Sequence, residues 1–451
     1  MHHRLPILTI ALIISLLAPI NVHAAPQADV EADTATLEFP NTVTFSATLN
    51  APAEIVDVTL EYGSEQLNCG EVTAKAFPEL QPGTTAQVSW TWDMRQSGSL
   101  PPGTTIWWRW RYVDSSGAEY LSDPQTVIWL DETNDWQTVS SDGVRIHYYG
   151  ASETFAQSML EAGEEGLRRN EQQAGMKPDI PVEIFVYPSY EEMRDAILYE
   201  PQWTGGLAYS DFSIIIMGTS GDAEFDKATV IHEVTHILVG RNAFTCIGFI
   251  PTWLNEGLAV YNEGELDGSM KEQFDLALRD DAFFPLRTLG GNFSEIPDKA
   301  LLSYAQSYSV VKYMIETHGQ EKMSQLLTAL SNAEPTDDAL VAIYGFDTNG
   351  LDAAWRESLG LTPLLIAQAT AQPTPTYVPT YIPIDGIPQA ITATPGAIPS
   401  SSSNPEPEES NRPPLALTLA LICFCLVFLL IIGVIILMVV IRRGNKGGKS
   451  V

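Results

Sequence analysis

Residues 230–240 read VIHEVTHILVG, and this stretch determines how the middle of the 451-residue chain is interpreted. Apolar residues cover most faces of the helix that it predicts, yet His232, Glu233 and His236 interrupt them. Because His232 and His236 are four positions apart, a helix holds both imidazoles on one face. Both rings can then reach one zinc ion, and Glu233 beside them can act as a base toward metal-bound water. A pair of core histidines is the alternative interpretation.

A second apolar segment offers a third metal ligand. Residues 251–264 read PTWLNEGLAVYNEG and predict a helix. Glu256 lies in this helix, with 19 residues between His236 and Glu256. A carboxylate in so apolar a segment is costly unless it is paired or binds a metal. Catalytic zinc takes three protein ligands and keeps one open position, so His232, His236 and Glu256 are candidate ligands for one Zn²⁺ per chain.

These two segments carry a resemblance to a known family. HEVTH followed at this distance by WLNEGLA resembles the gluzincin zinc metallopeptidases, and the layout is most similar to the peptidase MA-like domain. The likeness extends to the catalytic domains of membrane alanyl aminopeptidases and thermolysin-like enzymes, and it covers about residues 136–369. It implies hydrolysis of a peptide or protein substrate. It also implies three zinc ligands and one general base, namely His232, His236 and Glu256, and Glu233.

A third segment, SYAQSYSVVKYMIETHG, resembles the aminopeptidase helix whose tyrosine steadies the oxyanion. The resemblance implies this role for Tyr304, with Tyr308 as the alternative, whereas a half-buried structural tyrosine is the other interpretation of either residue. Two positions depart from the family pattern. GGLAYSD lacks the Glu that binds a substrate's amino terminus, so endopeptidase or exopeptidase action stays open. Val260 stands where thermolysin-like enzymes have an Asp that orients a ligand histidine, and no other residue is identified for that role.

The region 25–136 predicts an all-β, immunoglobulin-like sandwich. Short β-branched and aromatic segments such as TIWWRWRYVD are separated by turn signals such as LPPGT. Trp107, Trp108 and Trp110 are expected to contribute core side chains and one exposed face, with a binding stripe as the alternative.

The region 137–369 predicts an α+β gluzincin-type metallopeptidase domain, with a small sheet first and helices after it. GGLAYSDFSIIIMGT predicts a hairpin or edge strand, and its part 214–217 is the strand hypothesised to pair with an extended substrate. Five helices are predicted after the motif helix, over residues 252–261, 270–278, 301–317, 322–331 and 351–359.

The two ends of the chain predict a membrane-anchored protein. Residues 1–24 have a basic start, an apolar run and a small residue at the end, as in a secretory signal peptide; a retained signal anchor is the alternative. Residues 370–414 repeat Pro, Thr and Ser and predict a disordered stalk. Residues 415–441 are 27 positions without a charge, enough for a single transmembrane helix, and the basic tail 442–451 marks the cytoplasmic side. The expected location is the cell membrane, with the N-terminal part outside.

The composition of the chain argues against one class of partner, and two alternative functions stay open. The formal net charge of −32 argues against a nucleic-acid partner. Four cysteines are too few for a disulfide scaffold, and whether Cys69 and Cys246 pair stays open. One alternative is a cell-surface binding protein that uses the β-sandwich and keeps a catalytically inactive peptidase-like scaffold. The other is a structural protein with a non-catalytic zinc, to which Cys246 adds a fourth ligand.

Overall fold

The computed structural model describes residues 28–66, 73–198, 205–266 and 268–364. The predicted signal peptide, stalk, transmembrane helix and basic tail all lie outside these ranges, as does Cys69, and they stay predictions. Within the described ranges, no helix is both long and apolar enough to cross a bilayer.

The N-terminal part of the described chain is all β, as predicted. Its sheet contains seven strands. They are β1 (Asp29–Glu38), β2 (Thr42–Ser64), β3 (Ala74–Ala76), β4 (Gly83–Asp93), β5 (Thr104–Asp114), β6 (Glu119–Leu121) and β7 (Gln125–Trp129). One short helix, α1 (Met94–Ser97), follows β4.

This sheet folds over itself because β2 takes part in both of its halves. Residues 42–50 of β2 pair with β4 and β1, and residues 55–64 pair with β5. Side chains of the two halves meet, since the ring of Phe45 lies 5.9 Å from that of Tyr62 and 5.3 Å from that of Trp108. The halves therefore enclose one apolar core, as the two layers of a sandwich do.

The tryptophan row of β5 follows the alternation of a strand with one buried face. Trp108 and Trp110 are buried, and Trp107 between them is half-buried on the opposite face. The indole N–H groups of Trp108 and Trp110 both donate to Asp33, at 2.7 and 2.9 Å. The interpretation of this row as core with one exposed face is confirmed.

A second, five-stranded sheet follows, in the order β11-β12-β10-β9-β8. Its strands are β8 (Gln137–Ser140), β9 (Val144–Tyr148), β10 (Val182–Tyr187), β11 (Gly206–Tyr209) and β12 (Ile214–Gly218). β10 runs parallel to both β9 and β12, and β11 pairs antiparallel with β12 as the predicted hairpin.

The hypothesis that residues 214–217 pair with a substrate is wrong. These residues belong to β12, which is hydrogen-bonded to β10 on one side and to β11 on the other. A strand that has two neighbours has no free backbone groups for a third. Among the described strands, the free edge on this side of the sheet belongs to β11.

Helices cover the second sheet and continue to the end of the described chain. All five predicted segments after the motif helix are helical; a further one, residues 336–344, was not predicted. The helices are α2 (Glu153–Ala174), α3 (Tyr190–Asp195), α4 (Ala223–Asn242), α5 (Thr252–Glu263), α6 (Gly268–Asp280), α7 (Pro297–His318), α8 (Gln320–Ser331), α9 (Thr336–Tyr344) and α10 (Thr348–Ser358). A 3₁₀ turn spans Leu286–Gly290.

The motif helix α4 is buried on most of its faces, which explains its even spread of apolar residues. Asp222 caps its start by accepting from the backbone N–H groups of Glu224 and Phe225. Val230, Val234 and Leu238 lie in the core that the second sheet shares with the helices. The packing around α4 therefore fixes the direction in which its polar side chains point.

Candidate metal centre

The two histidines of α4 and the glutamate of α5 converge on one point. Nε2 of His232 and Nε2 of His236 lie 3.0 Å apart. Oε2 of Glu256 lies 3.5 Å from Nε2 of His232 and 3.4 Å from Nε2 of His236. The three side chains are each half-buried, and their ligand atoms lie within the 4.8 Å range in which one metal ion can be shared.

These separations fit zinc. Nitrogen and carboxylate ligands bind zinc at roughly 2.0–2.2 Å with tetrahedral angles, which puts neighbouring ligand atoms roughly 3.3–3.5 Å apart. The three measured separations, 3.0, 3.5 and 3.4 Å, lie close to that value.

The outer nitrogens of both imidazoles have oxygen partners. Nδ1 of His232 lies 2.5 Å from Oε1 of Glu263, and Nδ1 of His236 lies 3.0 Å from Oδ1 of Asn255. Carboxylate and amide oxygens accept hydrogen bonds, so we assign the proton of each neutral ring to Nδ1. Both Nε2 atoms then present lone pairs to each other and to Glu256.

A cation placed between the three ligand atoms would remove the repulsion between them. Oε2 of Glu256 is buried and accepts no hydrogen bond from the described residues. Three lone-pair atoms at 3.0–3.5 Å repel one another unless a metal ion or a proton lies between them. The donor set of two imidazoles and one carboxylate is also one that catalytic zinc prefers.

Glu263 fills the role that the sequence left unassigned. It follows Glu256 by seven residues, which is two turns of α5, so both carboxylates lie on the same face of the helix. The repeated NEG of PTWLNEGLAVYNEG was the available signal. Val260, at the position where thermolysin-like enzymes have an Asp, is buried in the core instead.

The end of α5 that carries Glu263 is held by α2. Arg169 donates to the backbone oxygens of Asn262 and Glu263 at 2.6 and 2.8 Å. The side chain of Asn262 donates to Asn170 at 3.1 Å, and Asn170 donates to Thr235 of α4 at 2.9 Å. This buried chain of hydrogen bonds links the helices that carry the ligands, and fixes Glu263 relative to His232.

The carboxylate of Glu233 lies against β11, in the same cavity as the ligand set. An added Cβ on Gly206 would lie 3.0 Å from Oε1 of Glu233, so glycine allows this close approach of strand and carboxylate. Glu233 is buried. Burial raises the pKa of Glu233 above its ordinary value, although the positive charges of protonated His232 and His236 would lower it.

One cavity of about 620 Å³ brings these groups together. It is bounded by β11, α4, α5 and α7. Its lining includes His232, Glu233, His236, Glu256 and Tyr304.

Of the two candidate tyrosines, the structure places Tyr304 in this cavity. Burial and the nearby carboxylates of Glu256 and Glu233 raise the pKa of Tyr304, so its hydroxyl stays protonated and can donate. Tyr308 lies elsewhere, where its hydroxyl accepts from Lys312 at 3.2 Å. The close contact of α5 with α7 requires Gly257, because an added Cβ there would lie 2.5 Å from the backbone oxygen of Ser307.

Cys246 does not belong to the metal centre. It is disulfide-bonded, so it has no thiolate to offer as a fourth ligand, and that part of the structural-zinc alternative is wrong. A zinc ion held by His232, His236 and Glu256 would keep its fourth position for water or substrate.

Comparison with known proteins found one matching family model and several similar solved structures. The family model of the peptidase MA superfamily matches residues 162–360, which include all the residues of the centre. A solved M1 zinc metallopeptidase from Deinococcus radiodurans is 13% identical, with a TM-score of 0.34, and the match covers 76% of this chain and 95% of that chain. Legionella pneumophila aminopeptidase A, solved with aspartic acid, is 12% identical with a TM-score of 0.32, covering 72% and 50%.

No curated protein matches the chain. The family match covers the domain that holds His232, His236, Glu256 and Glu233. The domain that holds the centre is therefore similar to the peptidase MA superfamily over residues 162–360, and this match supports a zinc metallopeptidase.

Proposed function

We propose that this protein hydrolyses peptide bonds with one zinc ion held by His232, His236 and Glu256. The observation that carries the proposal is the convergence of two imidazole lone pairs and one buried carboxylate oxygen at 3.0–3.5 Å, beside a carboxylate that binds none of them. That carboxylate is Glu233, the general base.

The residues divide the chemistry between them. When bound, zinc supplies a Lewis acid and a water of lowered pKa. Glu233 takes the proton of the attacking water and passes it to the leaving amine. The raised pKa of Glu233 suits both steps, because a group whose pKa lies nearer to the working pH can both accept and donate a proton. Tyr304 donates its O–H to the oxygen on which negative charge develops. Glu263 and Asn255 keep His232 and His236 oriented.

An extended polypeptide fits the entrance to this site. The free edge of β11 runs along the cavity, and Gly206 lies directly against Glu233. A substrate can add to that edge as a further strand, so that its backbone is held while one carbonyl faces the metal.

The setting that we propose is the outer face of the cell membrane. A helix over residues 415–441 anchors the chain, and the acidic bulk of the protein lies outside. The support is the sequence alone: 27 positions without a charge followed by a basic tail.

The decisive test replaces Glu233 by alanine. Cleavage of a peptide library should fall by about 10²–10⁴-fold, the usual share of a general base, while zinc content stays at the wild-type level. Glu224→Ala is the matched control, because Glu224 is an exposed acid in the first turn of the same helix. Wild-type turnover by Glu233→Ala, or loss of its zinc, would refute the assignment. A β-sandwich that binds ligands while the intact enzyme cleaves nothing would favour the cell-surface binding protein instead.

A further inference from the structure

The segment that joins α4 to α5, residues 243–251, carries large apolar side chains into solvent. Ile247 is 88% exposed, Phe249 64% and Phe244 39%, and Ile250 is half-buried. We call these four residues the apolar rim. A contiguous patch of exposed apolar side chains often marks a binding surface.

The apolar rim is continuous with the metal centre. Phe244 and Ile250 line the same cavity as His232 and Glu256, whereas Ile247 and Phe249 lie further out on the segment. Ala243 is buried at the start of the segment, and Cys246 in its middle is disulfide-bonded. The rim is therefore held in place, and it forms one end of the cavity.

The direction of β11 shows where a substrate would meet the rim. Gly206 lies against Glu233, and Ser210, just beyond the strand, lies against Gly240 near the end of α4. From Gly206 to Ser210 is four residues, or roughly 13 Å of extended chain. A peptide that follows this edge thus leads from the reacting carbonyl to the segment that begins at Ala243.

We propose that the apolar rim binds bulky apolar side chains of a polypeptide substrate. These side chains belong to residues about three to five positions from the cleaved bond, on one side of it only. The inference rests on the proposed peptidase function and narrows its substrate class. A chain that reaches the rim must extend at least about three residues past the cleaved bond on that side, so the preferred substrates are polypeptides with an apolar stretch there.

The test compares two synthetic peptides of equal length and charge, cleaved at the same bond by the zinc-loaded, full-length protein. One has Phe and Leu at the rim-side positions, and the other has Ser and Gln there. The double variant Ile247→Ser/Phe249→Ser should lower the ratio of kcat/KM between the apolar and the polar peptide by at least about tenfold, since each lost apolar contact is worth several-fold in binding. Phe77→Ser is the matched control, because Phe77 is 73% exposed in the sandwich and should leave the ratio unchanged.

Binding separates this inference from the proposed function. The same peptides, labelled with a fluorophore, are titrated with the zinc-loaded Glu233→Gln variant, with and without the two rim substitutions. A tenfold loss of affinity for the apolar peptide alone supports the rim even if the wild type hydrolyses nothing, which would refute only the peptidase assignment. An unchanged ratio in both assays overturns the rim proposal. If the double variant then also dissociates a dimer in sedimentation experiments, the rim is the contact for a second copy of the chain.

Discussion

Replacing Glu263 by alanine should weaken zinc binding by about 10–100-fold, although Glu263 is not a ligand. Its Oε1 lies 2.5 Å from Nδ1 of His232, which is a short, charge-assisted hydrogen bond. Such a bond contributes roughly 1.5–3 kcal/mol, and every 1.4 kcal/mol is tenfold in a dissociation constant. The two estimates agree. Without Glu263, His232 also loses the partner that fixes its tautomer and ring orientation.

Competition between the full-length protein and a chromogenic zinc chelator measures the effect. Glu263→Gln keeps an acceptor oxygen but removes the charge, so its loss of zinc affinity should be smaller than that of Glu263→Ala. Glu265→Ala is the control, because Glu265 is an exposed neighbour whose pairing with Lys312 at 3.4 Å does not reach the histidines. A wild-type dissociation constant for Glu263→Ala, with the fold intact by circular dichroism, would refute the reasoning.

The remaining predictions concern the oxyanion donor and pH. Tyr304→Phe should lower kcat by about 10²–10³-fold with zinc retained, whereas Tyr308→Phe should stay near the wild-type rate in the same steady-state assay; the opposite order would exchange their roles. Burial lowers the pKa of His232, but the carboxylates of Glu256 and Glu263 outweigh this and raise it well above its ordinary range in the metal-free protein. Because zinc binds only the neutral ring, the apparent zinc dissociation constant should rise about tenfold per pH unit below that raised pKa and level off above it. Isothermal titrations across a pH series would contradict this if affinity were flat.

The candidate metal ligands were accessible to sequence reasoning because their geometry is local. His232 and His236 need only the four-residue spacing of one helix to share a face. Glu256 required one further step of reasoning: a carboxylate among the core residues of a second helix is costly unless it is paired or binds a metal. Its helix was therefore predicted together with its role.

The other features of the site depend on how helices and strands pack against each other, and the spacing of residues in the sequence does not show this. Tyr304 and Tyr308 lie on neighbouring turns of one helix, so which of them lines the cavity depends on how α7 packs against α5. The rotation of α5 against α4 likewise selects Glu263 as the partner of His232. Sheet order is equally non-local: β12 is an interior strand because β11 folds back beside it, and this overturned the prediction of a substrate-pairing strand at 214–217.

Zinc content tests the central claim most directly. Elemental analysis of the purified full-length protein should find one zinc per chain, and Glu256→Ala should lose it because two imidazoles alone leave the site short of a ligand. Retention of zinc by Glu256→Ala would contradict the proposed ligand set. Absence of zinc from the wild type, even after incubation with the metal, would contradict the account as a whole.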